Sequence, residues 1–310
     1  MMRKVLLAAV ALCIASGAAS AKELKSLGLS LGSLGNPFFI ALAKGATDEA
    51  KKVNPNVKVS ALGFDYDLGK QNTQIDNFIA AGVDFILLNP GDPNAIAPAI
   101  KRAQTAGIPV VAVDTAAKGA DATVTTNNVQ AGEIACQFIV DKLHGKGDVI
   151  IVNGPQVSSV VERVKGCKDV FAKAPGIRIL SSDQDAKGSR DGGLAVGQAL
   201  LTRFPHVDAI FAINDPSAIG ANLAAKQLHR TDLFITSVDG APDIEAQLKD
   251  KSSLILASAS QDPYAMAQIA TKEGIDLLNG KKPEKNPLLM DSKLITRDNV
   301  ADYKGWQAVR

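Results

Sequence analysis

The chain nearly repeats itself at an offset of 125 residues. The segment "GVDFILLNP" (Gly82 to Pro90) matches "HVDAIFAIND" (His206 to Asp215): each is Val-Asp, an apolar run, then Asn and a turn. The segment "IPVVAVD" (Ile108 to Asp114) matches "LFITSVDG" (Leu233 to Gly240), each an apolar strand ending in Asp. Two copies of one α/β unit are therefore expected. Each copy leaves an Asn and an Asp at the carboxyl ends of parallel strands, where open α/β sheets bind ligands. Two such edges facing each other would form a cleft rich in hydrogen-bonding groups, suited to a small polar molecule held from both sides.

The rest of the chain alternates strand and helix. "LKSLGLSL" reads as the first strand, and Asn36-Pro37 as a helix start, with Asn able to cap and Pro suited to the first helical position. Leu42, Ala46, Ala50 and Val53 follow at helical spacing. "VKVSALGF" is a strand, residues 69–81 a helix stopped by Gly82, "VDFILLN" a strand, and 94–106 a helix before "IPVVAVD". The second copy has helices over 129–143, 159–173, 190–203 and 216–228 between the strands "DVIIVNG", "IRILSSD", "DAIFAIN" and "LFITSVD". "LILASAS", a helix over 263–279 and a tail with one further strand complete it. Near-continuous apolar strands fit parallel sheets covered on both faces. Without a long linker, the two units must be joined by short stretches near Thr126, Ser260 and Asp291.

Arg3 and Lys4, the apolar run Val5 to Ala15 and the small residues Ala19-Ser20-Ala21 form the pattern of a secretory signal peptide over residues 1–21. The apolar run is too short to span a bilayer. Lipidation at Cys13 is disfavoured because Leu12 stands where a small residue is needed. Cleavage would leave 289 residues starting at Lys22, with 32 basic and 32 acidic side chains. That balance argues against electrostatic binding to nucleic acid or anionic membrane. Two cysteines remain, Cys136 and Cys167, on predicted helices flanking "DVIIVNG". In an oxidising compartment they suit a disulfide; two separate buried small hydrophobes is the other reading.

Catalytic and cofactor patterns are weak. Gly28-Leu29-Ser30-Leu31-Gly32 spells a nucleophile elbow, but Ser30 lies inside a predicted strand, away from the required strand-to-helix turn. His144, His206 and His229 fall near helix ends or turns away from the expected cleft. There is no phosphate loop, no dinucleotide fingerprint and no metal-ligand spacing, so no cofactor is expected.

The binding candidates are more coherent. Asn36, Phe38 and Phe39 follow the first strand, where an aromatic can pack on the apolar face of a sugar ring. Asp114 and Asp239 can accept several strong hydrogen bonds from hydroxyls; a helix cap or loop contact is the competing role for each. Asn89 and Asn214 offer a donor and an acceptor, with an Asx-turn as the alternative. Arg163 could reach over the cleft with its planar fork, or be an ordinary surface arginine. Gln261 falls where the chain would cross between units. Tyr66 is either a further stacking surface or an exposed loop aromatic.

These segments resemble the periplasmic sugar-binding proteins of ABC transporters, ribose-binding type, which share their fold with LacI-type regulators. The resemblance rests on "NPFF", "ILLNP", "AGIPVVAVD", "VERVKGC", "AIFAIND", "SVDGAPD" and "SQDP", and spans the mature chain. It implies a type I periplasmic binding protein fold: two Rossmann-like α/β lobes with parallel sheets, joined by a three-stranded hinge. The lobes would be residues 22–126 plus 262–291, and 127–261 plus 292–310. Asn36, Phe38, Phe39, Asn89 and Asp114 would bind from the first lobe, and Arg163, Asn214, Asp239 and Gln261 from the second lobe and hinge. The closed form would dock on a membrane ABC permease. Three departures from the ribose pattern stand out: Thr115 in place of Arg, Val238 in place of Phe, and Lys187-Gly188 where an aromatic is expected. They favour another pentose, a deoxy or branched sugar, or a linear polyol.

The expected protein is thus a monomeric, periplasmic solute-binding protein without catalysis. Asp239→Ala is expected to abolish binding without unfolding it. The alternatives are a ligand-presenting partner of a chemoreceptor or sensor kinase, a secreted serine hydrolase using Ser30, and a transcriptional regulator. The last is disfavoured because a signal peptide stands where a DNA-binding helix pair would be.

Overall fold

The computed structural model describes residues 22–306. The expected signal segment and Cys13 lie outside the described residues. One sheet takes β1 (Ser26–Leu31), β2 (Lys58–Gly63), β3 (Phe85–Leu88), β4 (Val110–Val113), β5 (Ala122–Thr126) and β11 (Leu288–Met290). Its order is β11-β5-β4-β3-β1-β2, and every neighbouring pair is parallel. The other takes β6 (Lys146–Val152), β7 (Gly176–Ser181), β8 (Ala209–Ala212), β9 (Phe234–Asp239), β10 (Ile255–Ser260) and β12 (Leu294–Thr296). Its order is β12-β10-β9-β8-β6-β7, parallel except for the edge strand β12. The 125-residue repeat therefore falls on matching places: β3 and β8 hold one position of their sheets, β4 and β9 the next.

Every residue of β3, β4 and β8 is buried, as the continuous apolar runs require. Helix α1 (Pro37–Val53) starts as its sequence dictates: the Asn36 side chain accepts from the Phe38 N–H at 3.0 Å, and Pro37 holds the first turn. Helix α2 (Leu68–Ala81) is capped by Asp67 and ends at Gly82 in the left-handed region, φ 62°. Helix α3 (Ala97–Thr105) completes this half. The second half carries α4 (Asn128–Lys142), α5 (Ser158–Ala172), α6 (Arg190–Arg203), α7 (Asp215–Gln227) and α8 (Pro242–Lys249). Helix α9 (Pro263–Leu278) follows β10 in sequence but packs on α1 and β5, beside the other sheet.

The chain passes between the sheets three times: from β5 into α4, from β10 into α9, and from β11 to β12. These passages are tied together. The Thr126 hydroxyl donates to Gln261 at 2.6 Å, Asn127 donates to Asp291 at 3.0 Å, and Gln130 exchanges two bonds with the Ser292 backbone.

Cys136 on α4 and Cys167 on α5 are joined by a disulfide, with their Cα atoms 5.1 Å apart. That resolves the choice left open by the sequence. The helices meet backbone to backbone. A Cβ on Gly132 would lie 2.1 Å from the Arg163 carbonyl oxygen, and one on Gly166 2.1 Å from that of Val129.

Three elements differ from the sequence expectation. Strand β5, "ATVTT", is wholly buried although its threonines resemble a linker. Helix α8 buries only Ile244 and Leu248, too few positions to show a period. The tail holds two short strands, β11 and β12, because one extends each sheet.

Candidate functional site

Residues Asn36, Phe38, Phe39, Asn89, Asp114, Arg163, Asn214, Asp239 and Gln261 all line one cavity between the sheets. It is a small cavity of about 50 Å³. Outward it opens into a wider space of about 680 Å³, whose walls include Ser33, Lys187, Arg190 and Asp243. The halves also touch directly: the Ala116 N–H donates to the Ser158 hydroxyl at 2.7 Å.

From the first sheet, Asn89 ends β3 and Asp114 ends β4. Asn89 donates to an Asp114 carboxylate oxygen and to the Thr115 hydroxyl, both at 2.9 Å. Thr115 in turn donates to the Pro90 carbonyl. The position expected to carry an arginine thus carries a short hydroxyl that is engaged with its own lobe. Among the described residues, Asn89 is the only side chain that donates to the Asp114 carboxylate, so capacity toward the cavity remains. Burial raises this carboxyl from the ordinary 3.8 to about 7; Arg163 opposes the shift and Asp239 adds to it.

From the second sheet, Asp239 ends β9 and accepts from Gln261 at 2.7 Å and from Arg163 at 3.4 Å. Its other oxygen accepts from the Asp215 N–H. Burial raises its carboxyl too, with the Arg163 charge and the Gln261 hydrogen bond opposing. Arg163 is buried, so its surface role is excluded. Its guanidinium also donates to Asn128 and to the Ile213 carbonyl, both at 2.9 Å. The glycine contacts between α4 and α5 set its place, and that signal was present in "VERVKGC" as Gly166. Below it, Asp215 is fully buried and accepts from Ser237, Ser258 and the Ala241 N–H. Its carboxyl is raised by burial and by Asp239.

Asn214 is the N-cap of α7, accepting from the Ser217 N–H at 3.1 Å, and it donates to the Gly188 carbonyl at 2.9 Å. The sequence suggested an Asx-turn as its alternative role; it is instead a helix cap, and its side chain still borders the cavity. Tyr66 also lines the cavity. Its ring packs edge to face on Phe64, and burial first, then Asp114 and Asp239, push its phenol upward. Opposite it stands Gly188, where an aromatic was expected. Val238 is buried in the apolar cluster beneath the sheet. Ser159, Val160 and Ile213 supply apolar and small surfaces of the same wall, and no motif in the sequence marks them.

Ser30 is fully buried inside β1, donating to Gln74 and accepting from Gln71. Ser30 thus lies within a strand, as expected, and not on the strand-to-helix turn that a nucleophile elbow requires. His206 pairs with Asp208 ahead of β8, at the end of the strand away from the cavity.

Two α/β lobes with ligand-type side chains meeting between their strand ends define a two-lobed solute-binding fold. The chain belongs to the periplasmic binding protein domain family, whose model matches residues 27–282. It is 35% identical over 274 residues to the ribose import binding protein of Bacillus subtilis, covering 86% of this chain and 87% of that one. It is 29% identical to the xylitol-binding protein of Mycolicibacterium smegmatis, covering 93% and 82%. Among solved structures, the Caulobacter myo-inositol binding protein bound to myo-inositol superposes with a TM-score of 0.83 at 27% identity, covering 91% and 96%. These relatives are binding proteins, in keeping with a non-catalytic role.

Proposed function

We propose that the protein captures a small sugar or linear polyol between its lobes and delivers it to a membrane ABC permease. The observation that carries this reading is that Asp114 from one sheet and Asp239 with Arg163 from the other border the same buried cavity. A ligand with several hydroxyls donates to both carboxylates only when the lobes are together. Binding then shifts the population toward the closed form. Phe38 and Phe39 offer apolar surface for the carbon face, while Asn89, Arg163 and Gln261 direct the polar groups.

The departures from the ribose pattern bear on the ligand. Thr115 supplies no charged donor, and Gly188 leaves one face without an aromatic. Each lost charged hydrogen bond costs about 1.5–3 kcal/mol. The reading is therefore a pentose other than ribose, a branched or deoxy sugar, or an open-chain polyol such as xylitol. The protein is assigned as a monomer acting outside the cytoplasmic membrane after cleavage behind Ala21.

A thermal-shift screen against pentoses, hexoses, deoxy sugars and C4–C6 polyols tests this. A ligand at 100 times its dissociation constant adds about 2.7 kcal/mol of stability. Silence across the whole panel would overturn the carbohydrate reading.

A further inference from the structure

Trp306 is the only tryptophan of the chain and is buried at 2% exposure. It follows β12, the edge strand of the second sheet. Its indole N–H donates to the backbone carbonyl of Asp239 at 3.0 Å. Its ring meets Phe38 edge to face, with centroids 5.9 Å apart and planes at 84°. Phe38 meets Phe39 in the same manner at 5.4 Å. Trp306 thus belongs to the apolar cluster around α1 while bonding to the end of β9. The tail is secured beside it, since the Tyr303 hydroxyl donates to the Gly240 carbonyl at 2.9 Å.

One side chain therefore contacts a cavity residue from each lobe. We infer that Trp306 is a positioning residue and a further link between the lobes, aiming Phe38 and Asp239 at the ligand and favouring the closed arrangement. This rests on the binding role proposed for the cavity. Three chain passages join the lobes, and Trp306 adds a non-covalent contact beside them. A motion that parts the end of β9 from the start of α1 must break either the buried N–H···O bond or the edge-to-face ring contact. Both are stabilising only where they remain shielded from water. The carbonyl that receives the indole belongs to a residue with φ of 137°, so the bond also fixes the strand end from which the carboxylate projects.

The test uses W306F, which keeps a ring against Phe38 and removes the N–H donor. Its folding is first checked by circular dichroism and thermal melting. The small-angle scattering radius of the ligand-free variant is then compared with that of the native protein. Affinities for ribose and xylitol are measured by calorimetry, and Trp306 emission is followed in the native protein during both titrations. The inference expects a larger ligand-free radius for W306F, affinity weakened about tenfold, and an emission change on binding. An unchanged radius together with unchanged affinity would overturn it. F38L, which removes the ring partner and leaves the tryptophan, supplies a second radius comparison should W306F not fold; an unchanged radius there overturns the link equally. If neither ribose nor xylitol binds the native protein, the choice of these ligands fails, while the ligand-free radii still decide the role of Trp306.

Discussion

Asp114 and Asp239 hold matching places at the ends of β4 and β9, and both keep a positive φ, 68° and 137°, while bordering one cavity from opposite sheets. Non-glycine residues in such conformations cost on the order of 1–3 kcal/mol each and persist where their surroundings over-determine them. Here the surroundings are visible: the Asp114 carbonyl accepts from the Thr125 hydroxyl, and the Asp239 carbonyl from the Trp306 indole. The repeat thus extends from sequence pattern to the backbone twist that turns each carboxylate off its strand.

Asp239→Asn should weaken ligand affinity by at least about 100-fold, since two charge-assisted bonds at about 1.5–3 kcal/mol each are at stake. Calorimetric titration checks this. Asp239→Ala should in addition lower stability by about 3–5 kcal/mol, because buried Arg163 loses its partner. The alanine variant is still expected to fold, but with this lower stability, which urea unfolding measures.

Binding and stability should respond to pH in opposite directions. The Asp114 carboxyl lies near 7 in the folded chain against an ordinary 3.8, so between these values the folded state holds a proton that the unfolded state has lost. Stability of the ligand-free protein should therefore fall as pH rises through that window. Hydroxyl donors need the ionised carboxylate, so affinity should weaken as pH drops below about 7. Denaturation and titration at two pH values on either side of it test both signs. Equal affinities would remove Asp114 from the contact set.

Gly132→Ala should push α4 and α5 apart, because its Cβ would meet the Arg163 carbonyl oxygen at 2.1 Å. Overpacking of this kind costs about 1–3 kcal/mol. Since the clash falls on the residue that carries the guanidinium, affinity should drop together with the melting temperature. A stability loss with native affinity would show that Arg163 is positioned by other contacts.

Replacing Cys136 and Cys167 together by alanine should cost about 3–4 kcal/mol by the chain-entropy estimate for a closed loop of this size, the cysteines being 31 residues apart. Denaturant midpoints with and without reductant provide the measurement. Ligand affinity should be retained, because the glycine contacts still seat the two helices.

Much of this architecture was legible because periodic burial leaves a trace. Runs such as "FILL" and "VVAV" declare buried parallel strands, and Asn36-Pro37 and Gly82 mark helix ends. Of the nine residues proposed to contact ligand, Asn89, Asp114, Asn214 and Asp239 stand where the repeat draws attention to them, Asn36, Phe38 and Phe39 fall in "NPFF", Gln261 follows β10, and Arg163 sits within α5. What was hidden depends on distant partners. Val124 and its threonines in β5 are buried only because β4 and β11 lie on either side. Positive φ at Asp114 carries no mark in its letter, and the Trp306 bond to Asp239 joins residues with no local relation. Ile244 and Leu248 sit one turn apart, too little to announce a helix.

The placement of β11 and α9 also bears on how the chain reaches this state. Residues 263–290 follow every parallel strand of the second sheet, yet they supply an edge strand and a covering helix to the first. The amino-terminal half, though synthesised first, stays unfinished until almost the whole polypeptide exists. Such distant pairing slows folding through the entropy of closing long loops. The edge strand and covering helix that complete the first sheet are thus among the last parts of the polypeptide to become available to it.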